Sequence, residues 1–428
     1  MKIAAIIAEF NPFHNGHQYH IEQTRLLTGA DYILVVMSGD FVQRGAPALC
    51  NKYIRTQMAL LEGADAVLEL PALYAVSSAE YFAGGGVTLL NQLGVVDCLS
   101  FGSEQGSIEP FISGASQLLS ETPDYSTELL SKLKQGKAYP AARQEALSMQ
   151  NVSVQATPAS ESVEDELSKL LSAPNNILGL EYCKALLAAK STIRPITVKR
   201  ADSAYHDLDL STSDSPLSSA SAIRQELNCG NIQIENHLPK STYKLLEQSG
   251  SLTRPVTTND FSSLLFYKLL SEQEKGYYDY LDCTPDLSNK IRNSLNDFAC
   301  FDDFCLKLKS KDLTYTRISR VLMHILLNIT KPDFFTAPLL DRNLFTPYAR
   351  LLGFRENATK LLSAIKRNSS IPLISKPADA PKLLTQEALS MLQQDIFCAN
   401  IYESIRAQST TPCPSNDITR SPIIVLTN

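Results

Sequence analysis

From residue 2 to residue 104 the chain alternates short apolar runs with segments of helical period. KIAAIIAEF, DYILVVMS, DAVLEL and VDCLSFGSE have strand length, while QYHIEQTRLLTG, NKYIRTQMALLEGA and AEYFAGGGVTLLNQLG have helical spacing. The strands are apolar along their whole length, so both faces must be covered, which requires a parallel sheet between two helical layers. The fold class is therefore α/β. TIRPITVKR supplies a further strand, and SASAIRQEL a helix that starts at Ser219 or Ser221. Between Ile108 and about Lys190 the chain is helical and more polar, with SVQATPASESVEDE as its least ordered stretch. After about Glu235 the alternation stops. FSSLLFYKLL, LSNKIRNSLNDF, TRISRVLMHILLNI and the run from APKLL to YESI predict a mainly helical C-terminal domain. The organisation expected is thus 1–235 for the α/β domain, 236–405 for the helical domain and 406–428 for a loosely ordered tail rich in Ser, Thr and Pro.

The first strand ends in FNPFHNGHQYH, where His14, His17 and His20 account for three of the six histidines in the chain. In an open parallel sheet, ligands bind beyond the carboxyl ends of the strands, and the loop after the first strand is the usual phosphate position. Zinc would need ligands converging from another segment, and no such spacing is present, so no metal ligands are assigned. The chain also lacks G-x-G-x-x-G and G-x-x-x-x-G-K-[ST], which removes the Rossmann dinucleotide loop and the P-loop. What remains is H-N-G-H at a helix start. Gly16 allows close approach of a base or phosphate, and the free N–H groups of the first turn favour an anion. His14 and His17 can donate to non-bridging phosphate oxygens as charge builds during nucleotidyl transfer. The plainer reading is a polar loop capping a helix; the position directly after the first strand favours the nucleotide site. His20, one turn on, fits either a pocket rim or a solvated face.

Composition narrows the remaining classes. With 44% hydrophobic and 20% charged residues the 428-residue chain is ordinary globular protein. It has no membrane-length apolar run and no signal-peptide pattern, so a cytoplasmic location without membrane association is expected. The nine cysteines form no C-x-x-C pair, against both a disulfide framework and a zinc module. A net charge of −6 leaves any nucleic-acid binding to a local patch. One exists: residues 301–370 carry 12 Lys and Arg against 6 Asp and Glu. Lys307, Lys309, Lys311, Arg317 and Arg320 cluster there, with Tyr315 between them as a stacking candidate. A solvated helical face gives the same pattern.

The H-x-G-H loop and the late Ser218, Ser219, Ser221, Ile223 and Arg224 resemble the nucleotidylyltransferase superfamily related to class I aminoacyl-tRNA synthetases. EFNPFHNGHQYH, MSGDFVQRGAPA with Lys52 and Arg55, LSFGSE, PNNILGLEY and VKRADSAYHD occur in the order of the bacterial tRNA(Met) cytidine acetate ligase family. LTYTRISRVLMHILL and YARLLGF extend the resemblance to about residue 405. Ala46 and Tyr53 depart from it, standing where an acidic residue and Trp are common. The resemblance implies a Rossmann-like nucleotidylyltransferase domain that binds ATP and a helical domain that binds tRNA. It implies a ligase: ATP and acetate give acetyl-adenylate, and the acetyl group passes to N4 of the wobble cytidine of elongator tRNA(Met), forming N4-acetylcytidine.

By the same resemblance His14 and His17 are catalytic, and ATP, accompanied by Mg²⁺, is the substrate. Its site is formed by Ile7, Ala8, Glu9, Phe10, Asn11, Pro12 and Phe13 of the strand end and loop, by His14, Asn15, Gly16 and His17, and by Gln18, Tyr19 and His20. Gly102, Asn175 and Arg200 complete it. Read from the residues alone, these three are more simply a turn glycine, a helix cap and a strand-end charge, and it is the resemblance that reverses that reading. Ser221 and Arg224 are either triphosphate contacts or a Ser-capped helix with a surface Arg. Lys309, Lys311, Arg317 and Arg320 are the tRNA-binding candidates. No stable protein partner is inferable. Two other functions share these features: a small-molecule adenylyl- or cytidylyltransferase, which leaves the basic helical domain unused, and an idle RNA-binding protein, against which intact His14, Gly16 and His17 argue.

Overall fold

The computed structural model describes residues 1–119, 174–200, 219–331, 346–407 and 416–426, with a few isolated positions between 120 and 173. The stretch SVQATPASESVEDE and Ser218 lie outside these. The expected strands form: β1 (Ile3–Ala8), β2 (Tyr32–Ser38), then a small antiparallel hairpin β3 (Phe41–Val42) and β4 (Ala46–Pro47), β5 (Ala66–Leu70), β6 (Cys98–Ser103) and β7 (Arg194–Lys199). In the sheet the order β5-β2-β1-β6-β7 is parallel throughout. The connection reverses direction between β1 and β6, so a crevice opens at their carboxyl ends, where this architecture holds ligands.

The two-sided burial inferred from the apolar runs is visible residue by residue. Ile3, Ala5 and Ile7 of β1 with Leu34 and Val36 of β2 face one core, shared with the helices Ala79–Leu93, Glu109–Leu119 and Pro174–Ala188. Ala4 and Ile6 with Ile33, Val35 and Met37 face the other, covered by the helices Asn15–Thr28, Lys52–Leu61, Ala220–Asn228 and Lys240–Gln248. Each buried Leu, Ile or Val contributes about 1.5–3 kcal/mol, so polar residues are kept out of these runs. The glycines of AEYFAGGG let their helix close onto the sheet: a Cβ on Gly86 would stand 2.6 Å from Cδ1 of Ile7.

The helices Ser262–Ser271, Pro285–Asn293, Phe301–Leu308 and Tyr315–Leu326 form the expected helical region, but the chain then returns to the sheet. YARLLGF, read from sequence as part of the helical domain, is strand β8 (Ala349–Arg355), antiparallel to β5. Leu351 joins one core and Leu352 the other, the alternation of a strand buried on both faces. β9 (Leu373–Ile374) and β10 (Ile423–Val425) pair with β8. The expectation of a loose tail also fails at its far end, because Asp417 is 2% exposed and carries charge pairs to the sheet. Lys52 Nζ lies 2.7 Å from Glu69 Oε1 and 3.0 Å from Asp417 Oδ2; Arg350 Nη1 lies 3.0 Å from Glu69 Oε2 and 2.7 Å from Asp417 Oδ2. The Tyr53 hydroxyl donates to Asp417 Oδ1 at 2.9 Å. Burial alone would raise the Asp417 pKa, but Lys52 and Arg350 hold it well below the usual carboxylate range.

Candidate active site

A cavity of about 250 Å³ opens at the carboxyl ends of β1, β6 and β7. Its floor is the loop Glu9–His14, which is over-determined from several sides. Buried Arg55 donates to the carbonyls of Glu9 (2.7 Å), Ser38 (3.1 Å), Cys50 (3.0 Å) and Gly39. Asn11 Oδ1 accepts from the N–H of Leu49 at 2.7 Å, and Arg224 donates to the Asn11 carbonyl at 2.6 Å. The Asn11–Pro12 peptide is cis. Phe10 takes a left-handed φ of 49°, uncommon for a residue of its size; its ring packs 4.8 Å from Phe13 and 4.9 Å from His17.

The capping reading of H-N-G-H is what the structure shows, and the capping residues also line the cavity. His14 is the N-cap of the helix Asn15–Thr28: its Nδ1 accepts from Gly16 N at 3.1 Å, while His17 Nδ1 accepts from His14 N at 3.3 Å. This is a capping box built from imidazoles instead of hydroxyl and carboxylate. An Nδ1 that accepts from a backbone N–H carries no proton, so each neutral ring bears its proton on Nε2. The rings stack with centroids 3.7 Å apart, and both line the cavity. Burial, reinforced by the charges of Arg200 and Arg224, lowers the His14 pKa to about 3. Burial and then His14 and Arg200 depress His17 well below its ordinary value. His20, lowered to about 4 by burial and Arg200, has Nε2 3.0 Å from Ser100 Oγ, so it belongs to the pocket. The histidines are therefore neutral hydrogen-bond donors at neutral pH, and the fixed positive charge of the cavity comes from Lys199, Arg200 and Arg224.

Thirteen of the residues assigned to ATP from sequence line this one cavity: Ile7, Ala8, Glu9, Phe10, Asn11, His14, Gly16, His17, Tyr19, His20, Gly102, Asn175 and Arg200. Four others do not line it. Phe13 is fully buried beneath the imidazoles, Asn15 donates to the Asn236 carbonyl, Gln18 donates to Glu62, and Pro12 supports the loop. Gly102 faces open space apart from Arg200 Cγ, 3.6 Å from an added Cβ. Asn175 donates to Glu104 Oε1 at 2.9 Å, and Asn176, not Asn175, is the deeply buried member of the pair. Ser219 caps the helix Ala220–Asn228 through its hydroxyl, and Arg224, half fastened to Asn11 and Ser221, lines the cavity. Sequence reasoning missed the wall of Phe82, Phe101, Leu178 and Tyr182. Those residues have only the signature of core, although Phe101 directly precedes Gly102. Glu9 is the only carboxylate in the lining among the described residues, which hold no cluster of three or more metal-type ligands; Mg²⁺ here would travel with the phosphates of ATP.

The basic candidates lie on the helical region and are unequal. Lys309 and Lys311 are exposed, Arg317 is half-buried, and Arg320 is half-buried with Nε 3.5 Å from Asp282. Lys307 pairs with Asp297 at 2.8 Å, and the Tyr315 hydroxyl is committed to Asp302 at 2.7 Å, which counts against a stacking role.

Comparison with known proteins gives three results. The family model described as HIGH Nucleotidyl Transferase matches residues 1–416. Proteins named tRNA(Met) cytidine acetate ligase are similar along nearly the whole chain: that of Acetivibrio thermocellus is 37% identical over 411 residues, 94% of each chain, and that of Clostridium acetobutylicum 40% identical over 433 residues, 99% of this chain and all of the other. The crystal structure of Thermotoga maritima TmcAL bound with alpha-thio ATP superposes over both full chains with a TM-score of 0.88 at 29% identity.

Proposed function

The chain belongs to the HIGH nucleotidyl transferase family, and from that membership we propose that it is an ATP-dependent tRNA(Met) cytidine acetate ligase working at the cavity of His14 and His17. An acetate oxygen attacks the α-phosphorus of ATP, the bond to the β-phosphate oxygen breaks, and pyrophosphate leaves acetyl-adenylate behind. N4 of the wobble cytidine of elongator tRNA(Met) then attacks the acetyl carbon, the carbon–oxygen bond to AMP breaks, and N4 loses a proton as N4-acetylcytidine forms.

One observation carries this reading: two neutral imidazoles have Nδ1 satisfied by the backbone, which leaves Nε2–H to donate in a cavity with two guanidinium groups. Such donors are fixed before the reaction and stabilise the charge that develops on the α-phosphate oxygens, without a covalent enzyme intermediate. Arg200 and Arg224 offset the triphosphate charge, and the first turn of the helix Asn15–Thr28 adds its dipole. The wall of Phe82, Phe101 and Tyr182 offers apolar surface to the adenosine end. Lys309, Lys311 and Arg317 offer charge to the tRNA. Among the described residues no helix is long and apolar enough to cross a membrane. The proposed substrates, tRNA and ATP, are the reason we place the enzyme in the cytoplasm. Incubation with labelled acetate, ATP and total bacterial tRNA, followed by nucleoside analysis, tests the proposal: label in N4-acetylcytidine is expected, and pyrophosphate release without any tRNA product points to a small-molecule nucleotidyltransferase. Acetyl-CoA without ATP should give no product.

A further inference from the structure

The stretch FVQRGAP has no part in the mechanism above, yet it forms a distinct hairpin, packed into the molecule with Arg44 as its one exposed residue. Phe41–Val42 and Ala46–Pro47 pair antiparallel, and Gln43, Arg44 and Gly45 make the three-residue turn, with Gly45 at φ 73° closing it through its N–H to the Val42 carbonyl at 2.9 Å. Its neighbours are fixed to two different parts of the molecule. Gln43 N donates to Glu9 Oε1 at 2.9 Å, at the edge of the ATP cavity. Gly45 touches the backbone of the helix Tyr315–Leu326 so closely that a Cβ would stand 2.3 Å from Arg320 N, and Ser319 Oγ donates to the Gly45 carbonyl at 2.7 Å. Arg44, one residue of about 3.8 Å from each anchor, is exposed and is held between the cavity and the helix that carries Arg317 and Arg320. Its charge is near enough to Arg224 to add to the depression, mainly by burial, of that residue's pKa.

We infer that Arg44, at the tip of this hairpin, binds the RNA backbone phosphate beside the reacting cytidine and so registers the anticodon loop over the adenylate. The inference rests on the proposed RNA-modifying function. Cytidine N4 must enter the cavity while its flanking phosphates stay outside, so a phosphate contact is needed at the rim, on an element rigid with respect to the cavity. The hairpin is such an element because it is anchored at both sides, and a guanidinium fork matches a phosphate diester. Arg44 does not line the cavity, whereas Arg200 and Arg224 do, which assigns it to the polymer's phosphates instead of those of ATP.

The test uses full-length enzyme, unmodified tRNA(Met) transcript and alpha-thio ATP. For Arg44→Glu, tRNA affinity should fall about 10-fold or more and the log–log salt slope should shrink by about 1, as one phosphate contact and its counterion release are lost. Arg44→Lys should keep the slope with a smaller loss of affinity, and affinity for alpha-thio ATP should stay within about 2-fold for both, which also reports the fold. Unchanged tRNA affinity and slope would overturn the inference. Loss of alpha-thio ATP affinity in step with tRNA affinity would overturn it too, by assigning Arg44 to the nucleotide. Wild-type enzyme that neither binds nor acetylates the transcript would instead defeat the proposed function on which it rests.

Discussion

Two regions of this molecule are dense in ionisable groups, and they treat charge in opposite ways. Around Lys52, Glu69, Arg350 and Asp417, two cations and two carboxylates interlock within 3.0 Å of one another, each nearly inaccessible. Around His14 and His17, two guanidiniums, the ammonium of Lys199 and three imidazoles share a cavity whose lining, among the described residues, holds the single carboxylate of Glu9. The first arrangement is complete without a ligand. The second has an excess of donors, kept neutral where possible by burial, and is completed only by an anion. Pairing, and not density, therefore separates structural charge from functional charge here.

The comparison breaks most readily at Asp417. Asp417→Ala leaves Lys52 and Arg350 buried with Glu69 alone, and should cost about 3–5 kcal/mol in chemical denaturation; a loss below about 1 kcal/mol would mean that the cluster is not a closed unit. The next largest effect is on the reaction. His17→Ala should slow acetyl-adenylate formation about 10²- to 10³-fold, as loss of one transition-state donor does, with a stability loss of only about 1 kcal/mol from the lost cap on the His14 N–H. His14→Ala should add about 1 kcal/mol of instability, because Gly16 loses its cap. Normal turnover in His17→Ala would return the histidines to the structural side of the comparison.

A smaller effect is expected in pH dependence. His20 has its folded pKa lowered to about 4 against an ordinary 6.5, so its contribution to stability is full above 6.5 and is lost as pH falls towards 4. The Asp40 carboxyl, pushed up to about 7 by burial, contributes the opposite slope, so the informative quantity is a difference. The stability of wild type relative to His20→Asn should drop by about 2 kcal/mol between pH 7 and pH 5. A difference that does not change with pH would show that His20 is not held neutral. The smallest effect on fold and ATP belongs to the basic side chains of the helical region: Lys309→Glu, exposed, with Arg317→Glu, half-buried, should weaken tRNA binding about 3- to 10-fold and flatten its salt dependence, with stability nearly unchanged. Wild-type tRNA affinity in a filter-binding titration would leave those side chains as solvation only.

The parts of this structure legible in the sequence are those encoded locally. A strand buried on both faces announces itself as Val, Ile and Leu without interruption, and the histidine loop is marked by its place after the first such run. ARLLGFR breaks that pattern with Arg350, Gly353 and Arg355, it borders a helical region, and its partner β5 lies far back in the chain, so no local period distinguishes it. Asp417 was unreadable for the same reason: its three partners come from residues 52, 53 and 350. Phe82, Phe101 and Tyr182 were invisible as a binding wall because an aromatic side chain lining a pocket and one filling a core carry the same sequence signal. Arg44 and Gly45 were quoted as a motif, but their placement between cavity and helix depends on Ser319 and Arg320, which no spacing links to them.

The late return of β8 to β5 bears on how the protein is made. Translation places β5 and β8 nearly three hundred residues apart, so a nascent chain carries an open, apolar sheet edge for roughly 15–60 s at about 5–20 residues per second. An unpaired edge of that kind templates association with other chains. Lys52 and Arg350 likewise lack half of their counter-charge until Asp417 emerges. Arg55, which clamps the Glu9–His14 loop, belongs to the same helix as Lys52. A ribosome that stops short of residue 417 thus releases a chain whose cavity floor is built on an uncompensated interior, and a correctly formed cavity becomes a property of finished chains.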